Sequence, residues 1–341
     1  MAIGEFDLIS KYFTRPSARS AARDSKVAAP DTAASDQSGV QLGIGDDCAL
    51  LRLGRGMQLA TSCDMLVEGR HFLSTVKPEY LGHKALAVNL SDLAACGARP
   101  LAFTLALSMP RADEEFLAGF ARGMFELADA HGCELMGGDT TQGPLNICIT
   151  VMGEVPAGAA LLRSGARVGD LIYVSGMVGD ARLALEAFRG TRSLSGDTFD
   201  RVRVAMEQPQ PRVALGIALR GIATSAIDVS DGLLGDLAHV LSRSEVGARI
   251  DVDALPRSAD MAAQPGALQR LCTLSGGDDY ELIFTAAPRD ADAVQRAAQS
   301  AGVAVTRIGQ IEAEPGVRLV DARDEPIADR FASFDHFLPH D

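Results

Sequence analysis

Six short acidic motifs, each following a run of apolar residues, constrain this chain more than any other feature. Carboxylates in such positions lie where a strand or buried helix gives way to a loop, and burying them is costly unless cations neutralise them. A set of hard oxygen ligands of this kind is typical of a site for several divalent ions, with Mg²⁺ the best match. The motifs lie at residues 43–47, 62–64, 89–92, 137–139, 228–232 and 276–279.

The net charge limits the classes of partner. The chain has 341 residues, with 45 acidic and 32 basic side chains and a net charge of -13. Nucleic acids and anionic membranes require a basic surface, so this balance argues against both as partners. A site this acidic can hold a phosphate only through metal ions, so the charge and the acidic motifs support each other.

The cysteines and the hydropathy pattern indicate a soluble cytoplasmic protein. Six cysteines are scattered with no C-x-x-C pair. That pattern favours single buried thiols in a reducing compartment over a disulfide framework or a zinc site. No segment approaches the roughly 20 apolar residues that are needed to span a bilayer, and the N-terminus lacks the basic segment of a signal peptide.

The length and the alternation of apolar periods predict two domains of mixed α and β structure. We place an N-terminal α/β domain that binds metal and ATP at residues 1–155 and a C-terminal α+β domain at 156–341. Residues 16–39 are poor in large apolar side chains, which predicts a flexible loop. The main predicted helices are 5–13, 80–96, 113–131, 180–188, 212–220, 233–242 and 289–301. The main predicted strands are 49–53, 57–61, 101–109, 134–136, 145–155, 171–175, 226–229, 249–252, 281–286 and 303–311. The first two are predicted to form a ribbon joined by a Gly-rich turn at 54–56, and residues 192–197 are predicted to form a polar loop.

The motif at 89–92 lies inside a predicted helix that is otherwise nearly all apolar. Asn89 and Asp92 are three residues apart and share one face of that helix. One interpretation is a polar patch that touches water. Because a helix apolar on all sides is typically buried, we favour Asp92 as a metal ligand.

Each remaining motif has a functional and a structural interpretation. The glycines at 137 and 138 permit close approach to a phosphate, or they form an ordinary tight turn. Asp231 is predicted to begin a helix whose N-terminus attracts an anion, or to cap that helix. In the adjacent pairs at 46–47 and 278–279, we expect one carboxylate to be a ligand and the other structural, since successive strand residues point in opposite directions.

Other catalytic motifs are absent from the sequence. It contains no P-loop, no G-x-G-x-x-G after a strand, no H-E-x-x-H, no G-x-S-x-G and no protein-kinase signature. Any phosphate chemistry here must therefore use a nucleotide site of another kind.

In order and spacing, these motifs resemble those of the thiamine-monophosphate kinases, in the superfamily of aminoimidazole ribonucleotide synthetase and selenophosphate synthetase. The resemblance extends over nearly the whole chain. The most specific segments are GIGDDCAL at 43–50, GRHF at 69–72, AVNLSDLA at 87–94, GGDTT at 137–141, AIDVSDG at 226–232 and DYEL at 279–282.

The resemblance implies a fold, an activity and an assembly. The implied fold has an N-terminal α/β domain whose strands help to form a homodimer, followed by a C-terminal α+β domain. The implied activity is transfer of the γ-phosphoryl group of ATP to thiamine monophosphate, giving thiamine diphosphate with the help of several Mg²⁺ ions. It implies no catalytic side chain and no phosphoenzyme.

The resemblance also assigns individual residues. Cys63 stands where the family usually has a hydroxyl residue, which leaves either its side chain or its backbone carbonyl as the metal contact. Asp278 stands where a longer Glu is usual. The implied metal ligands are Asp47, Ser62, Cys63, Asp64, Asp92, Asp139, Asp228 and Asp231. The implied ATP contacts are Gly138, Asp139, Arg163 and Ser230, and the implied substrate contacts are His71, Asp278 and Phe334.

The chemistry of the implied reaction agrees with these residues. The acceptor phosphate is already anionic, so the reaction needs no general base, and metal ions reduce the repulsion between the two phosphates. Phe334 could cover the cationic thiazolium, although packing of the tail would equally explain it. Two alternatives stay open: another ATP-dependent synthetase of the superfamily (selenophosphate or amidine-forming), and a non-catalytic metal or nucleotide sensor.

Overall fold

The structure, a computed structural model, describes residues 4–15, 38–327 and 331. The chain divides into two compact units, Met1–Leu93 with Arg99–Gly158, and Ala94–Ala98 with Ala159–Asp341. The predicted flexible loop falls largely outside the described residues, although its last residue begins a strand. No described helix is both long and apolar enough to cross a membrane.

Up to Gly158, the described residues form three helices and six strands. They are α1 (Glu5–Tyr12), β1 (Gly39–Leu42), β2 (Leu50–Arg52), β3 (Met57–Val67), α2 (Pro78–Ala95), β4 (Arg99–Met109), α3 (Glu114–His131), β5 (Glu134–Gln142) and β6 (Asn146–Pro156). Strands β3, β6, β4 and β5 form a sheet in that order, and only β4 and β5 run parallel. Strands β1 and β2 form a separate antiparallel ribbon.

The two faces of the four-stranded sheet differ in burial because side chains alternate along each strand. On β6, Ile147, Ile149 and Val151 are at most 1% exposed. On the opposite face, Leu59 and Met65 of β3 are 50% and 53% exposed. The sheet therefore has one packed face and one open face.

Helix α3 begins and ends at the residues that its sequence predicts. The Asp113 side chain accepts a hydrogen bond from the Phe116 N–H at 3.2 Å. At the other end, Gly132 adopts the left-handed conformation with φ 59°. These are the usual N-cap and C-cap arrangements, and both depend only on local sequence.

Two predictions in this unit are wrong. The strands expected at 49–53 and 57–61 do not pair with each other, because β2 pairs with β1 whereas β3 pairs with β6 along its length. The segment 137–141 is not a loop after a short strand but part of β5. Its parallel pairing with β4 continues past a register shift between Phe103 and Thr104, so tertiary pairing overrides a composition that is typical of turns.

The second unit is built on a six-stranded sheet. Its strands are β7 (Leu171–Ser175), β8 (Ser225–Asp228), β9 (Gly247–Asp251), β10 (Leu282–Ala286), β11 (Val305–Glu312) and β12 (Gly316–Val320). Their order in the sheet is β12-β9-β11-β7-β10-β8, with only the β12–β9 pair parallel. The helices are α4 (Asp180–Phe188), α5 (Gly196–Glu207), α6 (Val213–Ala218), α7 (Leu233–Ser244), α8 (Ala259–Ala262), α9 (Gly266–Ser275) and α10 (Ala291–Ala301).

Sequence analysis missed several elements of this unit. Helix α5 begins inside the segment predicted as a polar loop at 192–197, where the Ser195 side chain accepts a hydrogen bond from the Thr198 N–H. Helices α8 and α9 and strand β12 were not predicted. The mixed α and β structure of both units nevertheless confirms the predicted fold class.

Helices α2 and α3 make backbone contact through two glycines, and this contact generates a prediction. A Cβ atom added at Gly82 would lie 2.0 Å from the Phe120 carbonyl oxygen, and one at Gly123 would lie 1.9 Å from that of Glu79. We expect Gly82→Ala to lower the free energy of unfolding by about 1–3 kcal/mol, because the helices must separate. This is the opposite of the effect of helix propensity, which favours Ala by about 1 kcal/mol.

Urea unfolding followed by circular dichroism measures this change. Gly266→Ala is the matched control, since that helical glycine has no heavy atom within 4 Å of an added Cβ. Equal midpoints for Gly82→Ala and the wild-type protein would show that the helix contact is loose.

Candidate active site

A pocket in the first unit brings together two of the acidic motifs. Its volume is about 700 Å³, within the range of small-molecule sites. Ile9 of α1 and Phe13, the residue after this helix, form an apolar wall. The other lining residues come from the segment before β2 and from strands β4 and β5: Gly43, Ile44, Gly45, Asp46, Asp47, Ala49, Thr104, Leu105, Leu135, Met136, Gly137, Gly138, Asp139 and Thr140.

Gly138 leaves the backbone uncovered at this pocket. Its φ is 152°, and an added Cβ atom would lie 1.9 Å from the Leu105 carbonyl oxygen. No other residue fits without displacing β4. The neighbouring Asp139 is exposed, so a bare backbone and a carboxylate lie side by side in the same wall.

A second polar cluster joins α2 to the packed face of the sheet. The Ser62 hydroxyl donates a hydrogen bond to Asp92 Oδ2 at 2.5 Å. The Asp64 N–H donates to Asn89 Oδ1 at 3.1 Å, and the Asn89 amide donates to the Ala85 carbonyl at 3.0 Å. Asn89 is 1% exposed, so the interpretation as a polar patch in contact with water is wrong for this residue. It holds β3 against α2 and thereby positions Asp64.

The sheet register relates this cluster to the pocket. Asp64 pairs with Ile149 of β6, which pairs with Leu105 of β4, which pairs with Gly138 of β5. Three inter-strand spacings correspond to roughly 14 Å. The structure thus aligns the two groups across one sheet without bringing them into contact.

The side chain of Cys63 does not join this cluster. It lies on the open face, opposite to Ser62 and Asp64, and its Sγ atom is 3.4 Å from the Sγ atom of Cys148. Of the predicted metal contacts of Cys63, only the backbone carbonyl remains.

His71 lies in the turn that follows β3. The Val67 N–H donates a hydrogen bond to His71 Nδ1 at 3.0 Å, and the Gly69 N–H donates to the Phe72 carbonyl at 2.8 Å. Because Nδ1 is an acceptor, a neutral His71 ring carries its proton on Nε2. The turn therefore fixes the ring tautomer.

In the second unit, a buried carboxylate organises the motif at 228–232. Asp236 Oδ2 accepts three backbone hydrogen bonds, from the N–H groups of Ser230 (3.0 Å), Asp231 (3.1 Å) and Gly232 (3.1 Å). Burial, together with the nearby Asp231, raises the pKa of Asp236 to about 7 despite the lowering effect of these bonds. Sequence analysis missed this residue, although an acidic residue in the first turn of a helix was a visible signal.

Asp236 also changes the interpretation of Asp231. The helix begins at Leu233 with Gly232 as its N-cap, so Asp231 neither begins nor caps it. The backbone N–H groups that were expected to bind an anion donate to Asp236 instead. Asp231 itself is exposed, whereas Asp228, at the end of β8, is 4% exposed.

The loop at 276–281 is joined to this motif through backbone hydrogen bonds. The Asp278 N–H donates to the Ser230 carbonyl at 2.9 Å, and the Tyr280 N–H donates to the Val229 carbonyl at 2.8 Å. Asp278 has φ 67°, an uncommon conformation that Asp tolerates better than most residues. Its Oδ1 atom accepts a hydrogen bond from the Tyr280 hydroxyl at 3.2 Å. The structure therefore brings Asp228, Ser230, Asp231 and Asp278 together.

Two further carboxylates hold this loop in place through hydrogen bonds. The Gly179 N–H donates to both oxygens of Asp279 (3.0 and 2.9 Å), and burial raises the pKa of Asp279 well above its ordinary value. Glu281 accepts hydrogen bonds from Arg212 and Ser175. Asp279 has the structural role expected for one member of its pair. The reason given for the pairs is wrong, since both acidic pairs lie outside the named strands.

One predicted nucleotide contact lies in another segment of the second unit. Arg163 lies in the exposed segment before β7, where its carbonyl accepts a hydrogen bond from Ser244. Phe334 lies outside the described residues.

Comparison with known proteins shows the class of protein to which this chain belongs. The family described as AIR synthase related protein, N-terminal domain, matches residues 45–155, and its C-terminal counterpart matches residues 167–322. The chain thus has the two-domain architecture of the AIR synthase-related proteins.

Individual relatives show the family within this class. The thiamine-monophosphate kinase of Salmonella typhimurium is 44% identical over 341 residues, covering 99% of both chains. The crystal structure of thiamine-monophosphate kinase from Stenotrophomonas maltophilia is 46% identical with a TM-score of 0.78, covering 82% of this chain and 90% of that one. The structure of AaThiL complexed with AMPPCP and TMP is 25% identical with a TM-score of 0.71, covering 99% of both chains. This chain belongs to the thiamine-monophosphate kinase family.

The environment of Asp236 predicts a pH dependence of stability. Folding raises the pKa of this carboxyl from its ordinary value of 3.8 to about 7 in the metal-free protein. Its contribution to the free energy of unfolding is therefore fully present below the ordinary pKa and is lost as the pH rises towards 7, by about 1.4 kcal/mol per pH unit. Asp236→Asn keeps an acceptor for the three N–H groups but cannot ionise, so it should lack this decline.

Urea unfolding at a series of pH values between 4 and 7, in the presence of a chelator, measures the difference between the two proteins. Asp292→Asn is the control, because that side chain is exposed on a helix. Parallel pH profiles for the wild-type protein and Asp236→Asn would contradict the assignment of the decline to Asp236.

Proposed function

We propose that this protein transfers the γ-phosphoryl group of ATP to thiamine monophosphate, giving thiamine diphosphate by direct in-line transfer. The observation that carries the proposal is full-length similarity to proteins of this activity, including one whose structure contains AMPPCP and TMP. Turnover of ATP with thiamine monophosphate, measured as thiamine diphosphate formed, tests it directly.

The side chains present suit an acceptor that is itself a phosphate. Such a nucleophile is already anionic, so the protein does not need a general base to create it. The difficulty is electrostatic, since two polyanions must approach each other. The task of the site is therefore to hold and orient the two phosphates, and we assign no catalytic side chain.

The donor set fits Mg²⁺. Among the described residues, no group of three or more His, Cys, Asp or Glu side chains is placed to hold a metal ion alone. Mg²⁺ usually retains several waters and binds one or two carboxylates together with substrate phosphates. Single carboxylates such as Asp64, Asp92 and Asp231 suit an ion that is coordinated in this way. When bound, Mg²⁺ would screen the charge between the phosphates and stabilise the charge of the transition state.

The spacing of the donors supports more than one ion. Asp64 and the Gly138–Asp139 segment lie roughly three strand spacings apart, about 14 Å. Oxygen ligands lie about 2.0–2.1 Å from Mg²⁺, so these two groups serve different ions. We assign one set to Ser62, Cys63, Asp64 and Asp92, and others to Asp47 with Asp139 and to Asp228 with Asp231.

Nucleotide and acceptor are assigned to different residues. The pocket beside Gly138 and Asp139 suits the nucleotide, and the family resemblance also assigns Arg163 and Ser230 to nucleotide contacts. Its apolar wall of Ile9 and Phe13 suits a base, and the bare backbone at Gly138 suits a phosphate. His71, Asp278 and Phe334 are assigned to thiamine monophosphate, with Asp278 accepting from its aminopyrimidine.

We further propose that the protein is a homodimer in which strands of the first unit take part. The open face of the sheet carries Leu59 and Met65, each about half exposed, and pairing with a second copy would cover such side chains. Light scattering at micromolar concentration should give twice the monomer mass, and a monomer mass would exclude this assembly.

The proposed Mg²⁺ ligands Asp64 and Asp92 provide the first functional prediction. Asp64→Ala and Asp92→Ala should each lower kcat at saturating substrates by tenfold or more, because each removes a ligand to the ion that neutralises the phosphates. The fold should be retained, as judged by circular dichroism. Asp129→Ala, which changes an exposed carboxylate on α3, is the matched control. Near-normal kcat in both site variants would exclude a ligand role for them.

Asp278 generates the second functional prediction. Asp278→Ala should raise the KM for thiamine monophosphate roughly ten- to a hundredfold, since it removes one charge-assisted hydrogen bond of about 1.5–3 kcal/mol. The KM for ATP should change little. Asp278→Glu, the usual family residue, should be tolerated. An unchanged KM for thiamine monophosphate in Asp278→Ala would place the acceptor pocket elsewhere.

A further inference from the structure

One hydroxyl group joins the segment before β7 to the end of helix α7. The Ser244 Oγ atom accepts hydrogen bonds from the N–H groups of Gly165 (3.1 Å) and Ala166 (3.2 Å), and it donates a longer one to the Arg163 carbonyl at 3.4 Å. A serine hydroxyl has one proton to donate and two lone pairs with which to accept. These three contacts therefore use the full hydrogen-bonding capacity of the side chain on one short loop.

This arrangement differs from a common one for a helical serine. Such hydroxyls often bond a carbonyl three or four residues earlier in their own helix, as Ser300 of α10 does with the Ala297 carbonyl at 2.8 Å. Ser244 is the last residue of α7, and the partners of its hydroxyl lie 78 to 81 residues earlier in the chain. Its hydrogen bonds therefore hold two distant segments together.

The loop that Ser244 holds, residues 163–166, is anchored at both of its ends. Before the loop, the Leu162 carbonyl accepts a hydrogen bond from the Ala226 N–H of β8 at 2.9 Å. At its end, Ala166 is 5% exposed and packs in the hydrophobic core of the second unit. The Ser244 hydroxyl completes the set by fixing the main chain between these two anchors.

Arg163 is the residue whose position this loop determines. Its side chain is exposed, so the direction of its guanidinium depends on the main chain that carries it. A ligand that binds a mobile loop must order that loop, and the lost conformational entropy weakens binding. A main chain that is already fixed by Ser244 lowers this cost.

We propose that Ser244 is a positioning residue for the nucleotide site, which fixes the loop that carries Arg163. This inference rests on the proposed assignment of Arg163 to ATP. Helix α7 begins at Leu233, directly after the motif at 228–232, and ends at Ser244. The helix thereby holds the loop of Arg163 at a fixed separation from Ser230, the other nucleotide contact assigned in this unit.

Calorimetry with AMPPCP and Mg²⁺ on the full chain tests this role. Ser244→Ala should weaken AMPPCP binding by about three- to tenfold, because the loop must then be ordered on binding rather than beforehand. Its kcat at saturating ATP and its KM for thiamine monophosphate should change little. Ser300→Ala, which removes a hydroxyl that bonds to its own helix, is the matched control and should bind AMPPCP as the wild-type protein does. Unchanged AMPPCP affinity in Ser244→Ala would overturn the proposal.

A double-mutant cycle shows whether Ser244 acts through Arg163. Arg163→Ala alone should weaken AMPPCP binding by about tenfold or more, and the double variant should bind no more weakly than Arg163→Ala. Losses that add would mean that Ser244 affects the nucleotide independently of Arg163, and the proposal would be wrong. Unaltered affinity in Arg163→Ala would overturn it as well, while turnover of thiamine monophosphate would leave the kinase activity standing.

Hydrogen exchange of the ligand-free protein follows the loop without reference to activity. In Ser244→Ala, the amides of Gly165 and Ala166 should exchange faster than in the wild-type protein, since they lose their acceptor. The same amides should be unchanged in Arg163→Ala and Ser300→Ala. Equal exchange in Ser244→Ala and the wild-type protein would show that the hydroxyl does not hold the loop, which contradicts the proposal. A wild-type protein that binds AMPPCP but forms no thiamine diphosphate would refute the kinase activity alone.

Discussion

The constraint on which the rest of this structure depends is that buried polar groups must be paired. Carboxylates that could bind metal must remain available, so other side chains have to hold the backbone around them. Asp236 does this for the motif at 228–232 by collecting three amide donors, and Asp279 does it for the neighbouring loop through Gly179. In the first unit, Asn89 does the same for Asp64. An unpaired donor or acceptor at these places would cost about 1–3 kcal/mol.

The sequence predicts what depends on local chemistry. Helix α3 is correctly placed because Asp113 and Gly132 act on residues within one turn of themselves. The acidic motifs are recognisable for a similar reason, since an apolar run followed by Gly or Ser and Asp marks the end of an element. A structural role for one member of the pair at 278–279 was also expected and is found for Asp279, although the strand alternation given as the reason does not apply there.

The features that sequence analysis missed depend on contacts between distant segments. Strand β5 continues through two glycines because β4 lies beside it, and the residues Gly137, Gly138 and Asp139 do not themselves favour a strand. Strand β2 finds its partner in β1 rather than in β3, which no local pattern indicates. The opposite orientations of Cys63 and Asp64 follow from alternation, but the proximity of Cys63 to Cys148 requires the register of β3 with β6.

The joined loops of the second unit have a consequence for how this sequence can diverge. The loop at 276–281 contacts the motif at 228–232 through main-chain atoms, and those contacts do not depend on which side chains are present. Instead, the requirement that the two segments stay close restricts two glycines. A Cβ atom at Gly277 would lie 2.4 Å from the Ser230 carbonyl oxygen, and one at Gly232 would lie 2.9 Å from the Ser275 carbonyl. Substitutions that leave the main chain in place can therefore alter the chemistry of either motif, while the two glycines can be lost only together with a change in the path of both loops.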